Sequence, residues 1–368
     1  MTTTYEDLGV RRVINAAAAQ TMLGGALMPE PVLAAMQEAA GGSVYLPELH
    51  DRVGERLAHL THNEAACVCC GAAAGILVAV AACMTGEDVT RAEALPAADA
   101  IERREVVVFR AHDNGFLSSV TESGAEVVLI DGNEEALRTA LTPRTAAVLW
   151  FAGDFWGDNA LPLPETITIA HEQGVPVIVD AADQIPPLAN LWEYTRDEEA
   201  DLAIFSGGKG LRGPQASGLI VGRPDLIRAC RANSGPQHSI GRPAKVGKEE
   251  MLGLLAAIEW SFAHRESDVT AGYEAVVARW LEGLRGFPGV EVAHTPRSHS
   301  GQPIPRAIVT FAAPERRDAV RAALWEMNPR VAVLPEGERA IGLNPQLLMP
   351  DQPPLVLAAV REAILATQ

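Results

Sequence analysis

The chain has 368 residues, 48% of them hydrophobic, which is enough for one large core with a smaller domain appended. Its formal net charge of −17 repels nucleic acid and anionic membrane, so an anionic ligand has to be met by a local cluster of Arg and Lys. The Met-Thr-Thr-Thr start has no basic stretch leading into an apolar run, and no secretory leader is expected.

In chain order, residues 1–45 form an N-terminal arm and segment, and residues 46–245 carry the pattern of a large α/β domain. Residues 65–84 (AACVCCGAAAGILVAVAACM) hold no charge and are long enough to cross a bilayer, but their Ala and Gly contribute little transfer energy. They are expected to form a buried helix. Cys67, Cys69 and Cys70 sit too close together for a disulfide framework, Cys83 and Cys230 lie far from them, and no CxxC pair is present. Reduced thiols in a cytoplasmic protein with no metal site are the expectation. Residues 86–104 read as a surface excursion.

Short β-branched runs follow at 105–109 (EVVVF), 126–130 (EVVLI), 146–150 (AAVLW), 176–180 (PVIVD), 201–205 (DLAIF) and 218–221 (GLIV), with helical patterns between them. This alternation predicts a mostly parallel sheet covered by crossover helices. A loop rich in Gly, Pro and basic residues (SGPQHSIGRPAKVGK) then leads into one long connecting helix, starting near 249 and running on through 284. Residues 246–267 are assigned to the connection, and 268–368 to a small C-terminal α+β domain with strands at VEVAH, RAIVTF and VAVLP and a final helix near 354–366.

Three groups of residues fall where an open parallel sheet gathers its ligands, at the carboxyl ends of strands. Cys70, Gly71, Ala72 and Ala73 open a helix, and small residues there let backbone N–H groups approach a phosphate. Asp180 ends the strand PVIVD, where a buried acid needs a cation; Asp183, three residues on, is read as a cap of the next helix. Lys209 sits among glycines in Ser206-Gly207-Gly208-Lys209-Gly210 after DLAIF, with room for a planar imine and a partly desolvated amine. A lone GGKG is more often a solvated turn. In this order, however, the three groups make the layout that pyridoxal 5′-phosphate (PLP) needs on one sheet.

Longer strings point the same way: VINA at 13–16, GAAAG at 71–75, His112 with Asn114, DAADQIPP at 180–187, FSGGKGLRGPQASGLIVGRPDLI at 205–227 and IGRPAKVGKEE at 240–250. On these the chain resembles the fold-type I PLP enzymes of the L-seryl-tRNA(Sec) selenium transferase-like family, in the small-molecule branch typified by D-glucosaminate-6-phosphate ammonia-lyase. The resemblance implies a fold-type I transferase fold with a mostly parallel seven-stranded sheet. It also implies Lys209 as the Schiff-base lysine, Asp180 as the pyridinium partner, Ser206 as a phosphate- or lysine-orienting hydroxyl, and His112 over the ring face. Gln184 and Gln215 are expected in the cofactor pocket, and Asn15, Thr21, Arg242 and Lys245 at the substrate, with Arg242 suited to hold a carboxylate. The chain departs from the pattern at Cys69-Cys70, where hydroxyl residues usually open the phosphate loop, at Ser118, where related lyases tend to carry His, and at Ala17–Ala19, which replace a more Gly-like string.

The expected activity is a PLP-dependent lyase removing water and ammonia from a small 2-amino-3-hydroxy acid, in a homodimer or higher even-numbered oligomer. An aminotransferase or a racemase is the alternative within the same chemistry. The acidic charge and the lack of a basic arm argue against an RNA-partnered selenium transferase.

Overall fold

The computed structural model describes residues 3–367 except 98, 100, 157 and 158. Two compact units emerge: Met28–Ala263, and the chain up to Leu27 joined with the chain from His264 on. Strand β1 (Val13–Ala16) belongs to the second. The first unit is built on seven strands: β2 (Ala65–Cys69), β3 (Glu105–Phe109), β4 (Glu126–Ile130), β5 (Thr145–Phe151), β6 (Val177–Asp180), β7 (Leu202–Ser206) and β8 (Gly218–Gly222), in the order β2-β8-β7-β6-β5-β3-β4. All neighbours are parallel except β8, which runs antiparallel to both β2 and β7. The expected mostly parallel seven-stranded sheet is therefore present.

The runs are continuous rather than alternating because both faces are covered. Val107, Phe109, Val177, Val179 and Phe205 face one apolar cluster with Leu57, Ile167 and Leu254 from flanking helices. Val106, Val108, Ile178, Leu202 and Ile204 face the other, with Ile76, Val80 and Ile227. Each such side chain fully removed from water contributes roughly 1.5–3 kcal/mol.

Two expectations are corrected. Residues 65–84 are not one helix: Ala65–Cys69 pair with β8, and the helix Gly71–Thr85 begins only after Gly71 adopts φ +82°. An uninterrupted apolar run has no period to separate the two forms. Among the described residues no helix is long and apolar enough to cross a membrane. The long connecting helix also breaks in two, Lys248–Phe262 and Glu266–Leu284, with extended backbone at Arg265. Glu266 and Asp268 fall in the first turn after the break, where carboxylates favour a helix start.

In the second unit β1 pairs in parallel with β11 (Arg330–Glu336), and β9 (Val290–Thr295), β10 (Arg306–Phe311) and β12 (Ala340–Leu343) complete a five-stranded sheet in the order β1-β11-β12-β10-β9. Val277, Trp280, Val320, Leu324, Val356 and Ile364 from its helices fill the core against that sheet.

At the amino-terminal edge of the large sheet, Asp201 is buried and accepts three hydrogen bonds, from Val177 N at 2.7 Å, His171 Nε2 at 2.9 Å and Arg223 Nη1 at 2.6 Å. Asp201→Ala strands the buried Val177 N–H, while Arg223 keeps its pair with Asp225 at 2.7 Å, and is expected to cost about 1–3 kcal/mol, read as a lowered urea midpoint with an unchanged slope.

Candidate active site

Ladder register brings the chemistry to one edge. Gly218 lies opposite Cys69 on one side and Ser206 on the other, and Asp180 lies opposite Ile204 and Phe151. The carboxyl ends of β2, β5, β6 and β7 thus open onto the same margin, and β3 leads there to His112.

Lys209 sits in a turn folded tightly on itself, with Gly207 N donating to Ser217 O at 2.8 Å, Gly213 N to Gly207 O at 2.7 Å and Arg212 N to Lys209 O at 3.0 Å. A Cβ on Gly210 would lie 1.9 Å from the Ile185 carbonyl oxygen, so only glycine lets this turn rest against the loop that follows β6. Arg212 occupies the left-handed region at φ +57° with its guanidinium 5.9 Å from the Trp260 ring centre.

From this turn the Lys209 ammonium reaches Asp183, at 3.8 Å between Nζ and Oδ1, and both side chains are largely shielded from solvent. The reading of Asp183 as a helix cap does not survive: no helix starts there, because Pro186 and Pro187 follow at once. Two consecutive prolines hold the residues before them in extended backbone, which is the sequence signal against a helix at Asp183. Asp180 is 7% exposed and accepts one backbone bond, from Ala182 N at 2.9 Å. Burial pushes its carboxyl up to about 6, with the Asp183 charge acting the same way; the Ala182 N–H and the Lys209 charge oppose them.

His112 is buried, and its Nδ1 accepts from Phe151 N at 3.3 Å, which puts the ring proton on Nε2. Burial lowers its basicity to about 4, so the ring is neutral at neutral pH. Trp150, Phe151 and Trp156 meet this ring edge-on, an aromatic surround with no sequence signature of its own. Gln184 Nε2 donates to Ala152 O at 3.4 Å, tying the β6 loop to the exit of β5.

The helix start Cys70-Gly71-Ala72-Ala73 lies beside the lysine turn: a Cβ on Gly218 would stand 2.8 Å from the Gly71 carbonyl carbon. Cys70 is half-buried, and its thiol is pushed up by burial and by the nearby Glu250 charge. Ser206 is half-buried and Gln215 exposed at the same margin. Arg242 and Lys245 are exposed and converge on Gly235, where a Cβ would meet Lys245 Cβ at 2.9 Å and Arg242 Nη1 at 3.9 Å. Among the described residues Arg242 has no ion-pair partner, and Glu249 is taken by Lys248 at 2.6 Å. Asn15 and Thr21 lie in the other unit; Asn15 holds its own loop, donating to Ala18 O at 3.0 Å and accepting from Ala17 N at 2.9 Å.

These groups fit the cofactor that the resemblance implies. A buried carboxylate with no ion-pair partner among the described residues suits a pyridinium nitrogen, a helix start lined by small residues suits a phosphate, and a lysine on a glycine turn suits an imine.

Comparison with known proteins agrees. The class-V aminotransferase model matches residues 123–304, and the DegT/DnrJ/EryC1/StrS aminotransferase model matches 39–194. The chain is 34% identical to a 5′-C-glycyluridine monooxygenase-decarboxylase of Streptomyces sp, over 98% of this chain and 92% of that protein. It is 31% identical to the D-glucosaminate-6-phosphate ammonia lyase of Salmonella typhimurium, over 77% of this chain and 76% of that one. A solved structure of D-glucosaminate-6-phosphate ammonia-lyase superposes with a TM-score of 0.85 at 27% identity, covering all of both chains.

The electrostatics of Asp180 set a sign. Its carboxyl is raised in the folded state, so the stability it lends is present below about pH 4 and is lost as pH rises through 6. In cofactor-free protein, Asp180→Asn is therefore expected to be more stable than the parent above pH 6, by about 2–3 kcal/mol, with the gap closing at pH 4. Urea unfolding at pH 4, 6 and 8 checks it.

Proposed function

The chain belongs to the fold-type I PLP-dependent enzymes that include D-glucosaminate-6-phosphate ammonia-lyase and L-seryl-tRNA(Sec) selenium transferase, and on that premise we propose that it is a lyase that eliminates water from a 2-amino-3-hydroxy acid carried on a sugar and then, taking one water back on hydrolysis, releases ammonia and leaves a 2-oxo acid. The observation that carries this is the meeting of Lys209 with two carboxylates on one strand edge. The relatives support the substrate class: a glucosaminate and a glycyl unit on C5′ of uridine are both amino acids built on a sugar.

Bound PLP supplies an electron-poor ring that accepts the electron pair left when a Cα–H bond breaks. Asp180, at the end of β6, holds the ring-nitrogen proton, and its burial keeps the pair strong. Lys209 Nζ would hold the cofactor, and its amine is the base placed to take the Cα proton. Backbone N–H groups at Ala72 and Ala73 would hold the phosphate. His112, neutral and fixed through Nδ1, contributes a ring surface and not a charge. Arg242 and Lys245 meet the substrate's acidic groups, and Ser206, Gln184 and Gln215 complete the binding set in this unit.

The chain's charge of −17 supports a small-molecule substrate over RNA. We further place the enzyme in the cytoplasm, as an even-numbered homo-oligomer. Exposed Val44, Tyr45 and Phe116 support an assembly.

Near-complete coverage by the monooxygenase-decarboxylase favours a second reading, in which the same Cα position reacts with O2 and loses CO2. Incubation with a panel of D- and L-hydroxyamino acids and amino-sugar acids, without air and without an amino acceptor, separates the two. Ammonia and 2-oxo acid in equal amounts are the expected result. Turnover only with oxygen and with CO2 release overturns the lyase, and turnover only with an added oxo-acid acceptor makes the enzyme an aminotransferase.

Arg242→Lys keeps the charge but loses the two parallel donors. It is expected to raise KM by an amount equal to about 1–3 kcal/mol of binding, with cofactor occupancy and melting temperature unchanged. A lower melting temperature at constant KM assigns Arg242 to structure instead.

A further inference from the structure

The chain places a second carboxylate on its lysine, and Asp180 already meets the need for a partner at the ring nitrogen. Asp183 stands 3.8 Å from Lys209 Nζ, with 18% and 27% of the two side chains exposed, so solvent and salt screen the pair far less than a surface ion pair. Both ends are clamped. The Asp183 loop is closed by Gln184 N donating to Ala181 O at 3.1 Å, and Gln184 also reaches Ala152 O. The lysine turn is pressed against Ile185 O through Gly210. The backbones that carry the two side chains are thus held against each other at Gly210 and Ile185.

We propose that Asp183 is a positioning residue for Lys209, holding its protonated amine in place to deliver a proton to the leaving β-hydroxyl. This rests on the lyase reading above and deepens it. Removing a Cα proton, as a racemase or aminotransferase does, asks only for a base. Expelling a hydroxyl group also asks for an acid, because hydroxide is a poor leaving group.

The Cα–H bond breaks, and its proton passes to Lys209 Nζ, which becomes an ammonium. The Cβ–O bond then breaks with its electron pair going to oxygen, the ammonium proton joins that oxygen, and water departs. The pair from the Cα–H bond becomes the Cα=Cβ bond, and Lys209 returns to a neutral amine. Tautomerisation and hydrolysis then take up one water and release ammonia and the 2-oxo acid, with no oxidant or reductant needed. A carboxylate fixed beside Nζ orients the ammonium toward the β-oxygen while the amine carries the proton, without itself touching the substrate.

The test compares leaving groups on the cofactor-loaded enzyme. A 2-amino-3-hydroxy acid needs the proton, whereas the corresponding 2-amino-3-chloro acid expels chloride without one. Asp183→Asn is expected to lower ammonia release from the hydroxy substrate on the order of 100-fold while leaving the chloro substrate within a few-fold. Asp183→Glu is expected to restore much of the loss. In cofactor-free protein, labelling of Lys209 by acetic anhydride, read by mass spectrometry, is expected to speed up several-fold in Asp183→Asn, because Nζ loses the charged partner that stands 3.8 Å away.

Equal losses on both substrates with unchanged labelling overturn the proposal and leave Asp183 as a structural residue. Full activity on the hydroxy substrate in Asp183→Asn overturns it as well. If the parent enzyme releases ammonia from neither substrate, the lyase reading itself has failed and this proposal falls with it.

Discussion

The structure of the large unit turns on a carboxylate that water cannot reach. Asp180 ends a central strand between β5 and β7, is 7% exposed, and has a single backbone donor to offset its burial. An ionised acid in that position is unfavourable by an amount that its neighbours do not cancel, and its carboxyl is held up at about 6. Such a site is unfavourable for the chain alone and favourable once a cation is placed against it. The cation-seeking carboxylate, the lysine turn and the helix start are separate in sequence, and the parallel ladder alone brings them to one margin.

The ladder was legible because its strands are buried on both faces. Runs such as EVVVF and DLAIF have nothing polar to blur their ends, and the ends observed fall within one or two residues of those expected. The failures have physical causes of the same kind. In residues 65–84 an apolar strand and an apolar helix stand end to end, and the divider between them is a glycine whose left-handed backbone no periodicity reveals. The break between Phe262 and Glu266 has neither Gly nor Pro to announce it. Strand β12 (AIGL) is only four residues long and lacks an alternating pattern, so no strand was expected there.

The site was legible in part. Lys209 and Asp180 announce themselves because glycines around a lysine and an acid at a strand tip are both costly arrangements that need a reason. Asp183 was passed over because an acid after a strand most often caps a helix, and only the two prolines beyond it contradict that. The aromatic surround of His112 was out of reach, since Trp150 and Phe151 come from β5 and Trp156 from the turn beyond it. Their convergence on one imidazole is a property of the sheet and not of any local spacing.

The departures at the phosphate loop follow from the same geometry. Cys69 turns its thiol inward, donating to Gly71 O at 3.3 Å, and a Cβ on Gly75 or on Gly218 would crowd its sulfur. Cys70 faces the Glu250 charge and not a free cation. Neither offers what a serine or threonine would give an anion. Under the proposed reading, the phosphate is therefore held by the N–H groups of the first helical turn, which have no partner within the helix, and by the dipole of a 15-residue helix. Backbone donors do not depend on side-chain rotamers, and Gly71 at φ +82° is what aims them. A loop built this way needs no hydroxyl so long as the glycine is present, which fits a chain with Cys69 and Cys70 ahead of the string GAAAG.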